Sequence, residues 1–266
     1  MIAGFNGSMS FRCRQEVDVE KPFQLKLIIR RVSTTSSLRW LAGAWQLFKK
    51  APIVFMAMFL LTACLGFLLQ LNQLSAIVWV FLNPFLTAGF YKAIVGIQHQ
   101  QNVTVDWVFK PLAEPQCRLI LLAIGALKVL LLTPLISFQQ KLLLPMSAAI
   151  ENQSTADISI SWQLLLLVAL FSLVFMLFAY AVAIAYFLKE QRILAVVQTS
   201  FIACWRNVSA LLIFGLLSMA LVLLTLPTFF IGLIVVLPLL NIAFFLSFND
   251  VFALQVKLPD DGVLEV

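Results

Sequence analysis

The stretch Ser37 to Gln98, SLRWLAGAWQLFKKAPIVFMAMFLLTACLGFLLQLNQLSAIVWVFLNPFLTAGFYKAIVGIQ, decides how the whole chain is read. It opens with a short amphipathic segment, Ser37 to Lys50, in which Leu38, Leu41, Trp45 and Phe48 recur at helical spacing while Arg39, Gln46, Lys49 and Lys50 stay polar. That pattern fits a helix lying in a membrane interface. Pro52 then opens an apolar run to Leu71, a polar turn follows at Asn72 and Gln73, and a second apolar run returns to Ile97. Runs of about 20 apolar residues are what the hydrocarbon core of a bilayer requires of a helix.

The remainder of the 266 residues repeats the plan. The chain is 62% hydrophobic and 11% charged, with a mean hydropathy of +1.01. Soluble domains average about 25% charged residues, so this composition does not supply a water-facing surface. The expected fold is an all-α polytopic membrane protein with six transmembrane helices, near 52–71, 74–97, 118–138, 162–188, 208–226 and 229–248, arranged as three hairpins with cytoplasmic interfacial helices. Residues 1–36 are read as a cytoplasmic segment, 37–250 as the membrane domain and 251–266 as a cytoplasmic tail. In the first segment, Met9 to Val19 alternate polar and apolar side chains and Phe23 to Val32 supplies a second candidate strand, the signature of a β-hairpin. The loop Gln139 to Ser161 is expected on the far side, a second amphipathic helix at Lys189 to Asn207, and a tight turn at Leu226–Pro227.

Charge placement sets the orientation. One side receives nine N-terminal Lys and Arg, then Lys92, Lys110 and Arg118, then Lys189, Arg192 and Arg206, then Lys257; the other receives Lys141. The positive-inside rule therefore predicts a multi-pass protein of a bacterial inner membrane with both termini cytoplasmic. The basic excess reads as an orientation signal and a lipid contact, not as a nucleic-acid surface, because no recognition module accompanies it. Trp40, Trp45, Lys49, Lys50, Trp107, Trp205 and Arg206 are the expected interfacial anchors at the cytoplasmic leaflet.

Each helix pair is preceded by Trp beside a basic residue, in AWQLFKKAP, DWVFKP and ACWRN, and PFLTAGF from Pro84 can be laid on PLLNIAF from Pro238. The run RVSTTSSLRWLAGAWQLFKKAPIVF, with NPFLTAGFYKAIVGI and WVFKPL, resembles a family of uncharacterised six-helix bacterial inner-membrane proteins. Its marks are a Trp-rich segment ending in a basic-Pro step and a second helix with a Pro-x4-Gly pattern, here Pro84 and Gly89. The membrane domain of some glycerophosphodiester phosphodiesterases looks like a distant cousin. The resemblance covers residues 31 to about 250 and implies fold and location, not chemistry.

Lys128 is the sharpest candidate for function, a charge inside the third span, where charges are costly and tend to face the bundle interior or water. Snorkelling, or a span displaced by one turn, is the plainer alternative. No Asp or Glu falls within a predicted span. Asn83, Thr87 and Asn241 are the candidate partners, beside the helix kinks expected at Pro84 and Pro238, where proline frees a carbonyl. The four cysteines are scattered, and His99 stands alone in its link, so neither a disulfide framework nor a metal site is indicated. No nucleophile motif or phosphate loop is found, and no catalytic residue, cofactor or metal is assigned. The leading expectation is a non-enzymatic protein acting through membrane lipids, or through a protein partner at residues 1–36 or the interfacial helices, at the cytoplasmic leaflet. The alternative is a transporter or channel for a small or lipidic solute, built on kinked spans 2 and 6 around Lys128. Oligomeric state is not legible.

Overall fold

A computed structural model describes residues 24–151, 162–257 and 263–265. The helices are α1 (Ser36–Phe48), α2 (Pro52–Gln70), α3 (Gln73–Gln98), α4 (Lys110–Ala113), α5 (Pro115–Glu151), α6 (Trp162–Phe178), α7 (Ala181–Phe187), α8 (Ile193–Arg206), α9 (Val208–Leu223) and α10 (Leu233–Val251). Six stretches are long and apolar enough to cross a membrane: Pro52–Gln70, Ser75–Gln98, Pro115–Leu144, Trp162–Phe187, Val208–Thr228 and Leu233–Val251. The chain is a multi-pass, all-helical membrane domain over this region.

A sheet forms a separate unit, with β1 (Gln24–Ile29), β2 (Phe252–Lys257) and β3 (Val263–Glu265) in that order. β2 and β3 run antiparallel, Gln255 opposite Glu265 and Val256 opposite Leu264. The first strand of the expected N-terminal hairpin, Met9 to Val19, lies outside the described residues. The described neighbour of β1 is β2, so the stretch read as a polar tail contributes two strands to the sheet. Two strands alone are marginal, and a third gives the sheet the pairing a hairpin lacks.

α3 is the central helix of the membrane unit. Phe85, Leu86, Ala88, Phe90, Tyr91, Ala93, Ile94 and Ile97 are buried along it, and it touches α2, α5, α7, α10 and the link that follows it. Two glycines make that crowding feasible. A Cβ on Gly89 would lie 2.1 Å from the carbonyl oxygen of Val108, and one on Gly96 would lie 2.7 Å from the Trp107 ring. The polar link thus does not float in solvent. Its 3-10 turn Val105–Phe109 is pressed onto α3, with Val108 fully buried.

Three features differ from what the sequence leads one to expect. The loop expected at Gln139 to Ser161 is helical as far as Glu151, its many helix formers (Gln, Lys, Leu, Met, Ala) carrying the helix through Pro145; the rest of that loop lies outside the described residues. The fourth span, expected near 162–188, is met by Trp162–Phe187 but is interrupted between Phe178 and Ala181. The turn at Leu226–Pro227 extends to Gly232, with Phe229 and Phe230 at φ of 48° and 65°, so the last helix starts at Leu233 and not at 229. As expected, α1 is a separate helix; it buries Trp40, Ala44, Leu47 and Phe48 and leaves Leu38 and Trp45 of its apolar stripe facing outward. The buried face packs against α10 and α9.

The chain enters and leaves this unit at one end. Arg30 N–H donates to the Val251 carbonyl at 2.8 Å, at the close of α10. Beside it, buried Asn207 accepts from Val32 N–H at 2.8 Å and donates to the carbonyls of Arg30 and Ala203 at 3.0 and 2.9 Å. Gly89→Ala is expected to lower the melting temperature in mild detergent, since overpacking against backbone costs about 1–3 kcal/mol. Gly215→Ala, with nothing within 4 Å of its Cβ, is the matched control and should be neutral or mildly stabilising.

Candidate functional site

Pro84 lies on α3, and Lys128 and the helix break after Phe178 lie on elements that pack around it. Pro84 lacks an N–H, so the Val80 carbonyl one turn earlier loses its helical partner. α5 approaches at this point through Gly125, where a Cβ would sit 3.1 Å from the Phe81 Cα and 3.3 Å from that Val80 oxygen. Lys128 lies one helical step further on, about 20 Å from the start of α5 at 1.5 Å per residue. Thr87 lies about 16 Å from the same end of α3 by that measure, so the two residues share a depth.

Two cavities flank Thr87 and Tyr91, which line both. The first, of about 210 Å³, carries Asn83 and Asn241 with Phe59, Thr62 and Trp79 around them. The second, of about 350 Å³, holds Lys128 among Leu132, Phe171, Phe175, Phe178, Val182 and Phe244. The four candidate residues are therefore neighbours but not one cluster: both asparagines line the first cavity, Lys128 lines the second, and Thr87 stands between. The Thr87 hydroxyl donates to the Asn83 carbonyl at 2.9 Å and the Asn241 amide to the Leu237 carbonyl at 3.0 Å. Local back-bonding of this kind occupies the donors near the kinks. The Lys128 ammonium lies 5.6 Å from the Phe178 ring centroid, within cation–π range.

The break in the fourth span forms part of the second cavity's wall, through Phe178, Ala179 and Val182. A helix interrupted at membrane depth must find substitutes for its lost backbone bonds. Ser200 of α8 provides them: its hydroxyl accepts from Tyr180 N–H at 3.0 Å and donates to the Met176 carbonyl at 3.0 Å. The Tyr180 ring is fully buried, stacked on Phe244 at 5.1 Å, and its hydroxyl shares a 2.9 Å hydrogen bond with Ser247. Neither Gly nor Pro marks this break in the sequence. The available signal was the alternation of alanine in FAYAVAIAYF, where Ala181, Ala183 and Ala185 are buried and permit close helix approach.

A polar cluster at the basic end was missed as well. Lys92 of α3 and the Tyr186 hydroxyl of α7 both donate to the Glu114 carboxylate, Tyr186 at 3.0 Å. These groups line a further pocket of about 470 Å³ with Gln116, Cys117 and Lys189.

The expected anchors divide. Trp40 is only 3% exposed and donates through Nε1 to Asp250 at 3.0 Å, a bond inside the protein and not at the lipid interface. Trp45 (47% exposed) and Trp205 (67%) face outward, as do Lys49, Lys50 and Arg206. Trp107 is half-buried on Gly96 beneath the Lys110 ammonium, 3.4 Å from its ring centroid. The buried Cys204 thiol is pushed up to about 12 by loss of solvent, which makes it a packing group and not a nucleophile at neutral pH. Among the described residues, no group of three or more His, Cys, Asp or Glu stands close enough to hold a metal ion.

No family model, curated protein or solved structure matches the chain, so the family resemblance rests on its short motifs alone.

Ser200→Ala leaves the buried Tyr180 N–H without its acceptor and is expected to cost about 1–3 kcal/mol. Chemical denaturation in detergent should show that loss, while Ser218→Ala, whose hydroxyl only back-bonds to Phe214 on its own helix, should change stability by less than about 1 kcal/mol.

Proposed function

We propose that this is a lipid-binding membrane protein whose second cavity holds an anionic amphiphile with its head at Lys128. The carrying observation is one ammonium in an apolar, aromatic-walled cavity, with the Thr87 and Tyr91 side chains as its other polar groups. At about 350 Å³ the cavity falls within the range of small-molecule sites, about 300–1,000 Å³. A charge at mid-membrane is costly unless paired, and the sequence offers no acid at this depth. A carboxylate or phosphate on a hydrocarbon chain would supply the counter-charge and fill the phenylalanine-lined remainder.

In this reading the six spans form three hairpins, the basic end faces the cytoplasm of a bacterial inner membrane, and α1 and α8 rest on that leaflet. Outward Trp45 and Trp205 would anchor them, with Lys49 and Arg206 on lipid phosphates. α3, with Pro84 inside it, and the broken fourth span adjoin the cavity, an arrangement also suited to passing the amphiphile across the membrane.

The experiment is native mass spectrometry of the full chain in mild detergent with added oleate, and with oleyl alcohol as the neutral analogue. Oleate should be retained over oleyl alcohol, and Lys128→Met should reduce that retention about tenfold, the effect of losing one charge-assisted bond. Lys128→Arg should preserve it. Equal retention of oleate by wild type and a folded Lys128→Met protein would sink the reading.

A further inference from the structure

The pocket at the basic end has no part in the Lys128 cavity, and its construction points to a different ligand group. Three separately positioned elements meet there. α3 brings Lys92, the start of α5 brings Gln116, and the turn after α7 brings Lys189. The geometry points to a second binding site, for a phosphate group, between Lys92 and Lys189.

Several observations carry this. The pocket is about 470 Å³ and concave, and it sits where α3 and α7 end and α5 begins, at the level expected for lipid headgroups. It contains two ammonium groups against one carboxylate, which leaves a net positive charge. Glu114 is placed by Lys92 and Tyr186 on one flank, so the cationic part of the pocket lies towards Lys189. Lys189 is held there at a φ of 53°, a left-handed conformation that a non-glycine residue adopts at a cost. The Gln191 amide donates to the Gln116 carbonyl at 3.0 Å and ties that turn to the first turn of α5. The other charges nearby are engaged elsewhere: Arg118 Nε donates to the Leu112 carbonyl at 2.8 Å, and Arg192 donates to Glu190 through its backbone N–H at 3.0 Å and Nε at 3.2 Å. Basic pockets between membrane helices at the positive side are suited to phosphate headgroups. A phosphate entering here would bridge Lys92 and Lys189, accept from the Gln116 amide, and compete with Glu114 for Lys92.

That competition gives the test its sign. Binding is read by native mass spectrometry of the full chain with phosphatidic acid, with diacylglycerol as the phosphate-free lipid and inorganic phosphate as competitor. All measurements are repeated on the Lys128→Met protein, so that the Lys128 cavity does not contribute and failure of that reading is seen separately. Phosphatidic acid should be retained over diacylglycerol in both backgrounds. Lys189→Met, at an exposed position, should weaken retention about fivefold, as expected of one lysine near a charged surface. Glu114→Gln keeps an acceptor for Tyr186 and Lys92 but removes the competing charge, and should strengthen retention. Displacement by inorganic phosphate would show that the site takes free phosphate too; no displacement would show that it takes the lipid form. A merely structural Lys92–Glu114–Tyr186 staple predicts unchanged or weaker binding in Glu114→Gln. That result, or equal retention of diacylglycerol, overturns the proposal.

Discussion

Hydrocarbon offers no hydrogen bonds, so every backbone donor and acceptor inside the membrane layer must be met by the protein itself. Most of this structure follows from that constraint. Where helices are regular, the requirement is met locally, and side-chain hydroxyls add to it by turning back on their own helix. Thr62 bonds Phe59, Thr133 bonds Val129, Ser172 bonds Val168 and Ser218 bonds Phe214, at 2.8, 2.7, 2.8 and 2.7 Å. These residues are polar in composition but inert in effect. Where the backbone is irregular, a neighbouring element must intervene, and those places define the candidate site.

Two such irregularities and one close helix approach coincide around α3. Pro84 frees a carbonyl, Gly125 brings α5 up against it, and the break at Tyr180 is closed from α8 by Ser200. Crowding by aromatics fixes the arrangement: Tyr91 stacks on Phe245 at 4.9 Å, and Phe245 meets Phe187 at 5.3 Å. This layer lies between the Lys128 cavity and the pocket at the basic end, with Tyr91 lining the first and Phe187 the second. One seam along α3, α5 and α7 thus carries a cation within the membrane and a polar cluster at its edge. The two differ in chemistry: one sets a single ammonium among mostly apolar walls, the other gathers two ammonium groups and a carboxylate.

The N-terminal part of the membrane unit shows how a polar bond can decide which face of a helix is buried. α1 is amphipathic on either of two overlapping faces. Its observed orientation puts the Trp40 indole on Asp250 and the Ser37 hydroxyl on the Ala210 carbonyl at 2.7 Å, both inside the protein. Asn207 does the same for the segment before α1, offering both its oxygen and its nitrogen to backbone groups. Such contacts join residues 170 or more positions apart in the chain.

Local chemistry suffices to mark six apolar stretches as able to cross a membrane, because a span needs only length and a low density of charge. It also marks α1 and α8 as separate helices and singles out Lys128, Pro84 and Gly89, since each breaks a local rule visible without partners. Other features were decided by the tertiary structure alone. The interrupted fourth span carries no breaker residue and exists because Ser200 stands opposite it. The division of Asn83, Asn241 and Lys128 between two cavities depends on how α5 and α10 pack on α3. The grouping of Lys92, Glu114, Tyr186 and Lys189 joins residues that no sequence period connects. A span is a property of a segment. A site is a property of neighbours, and which residues become neighbours is fixed only when the helices pack.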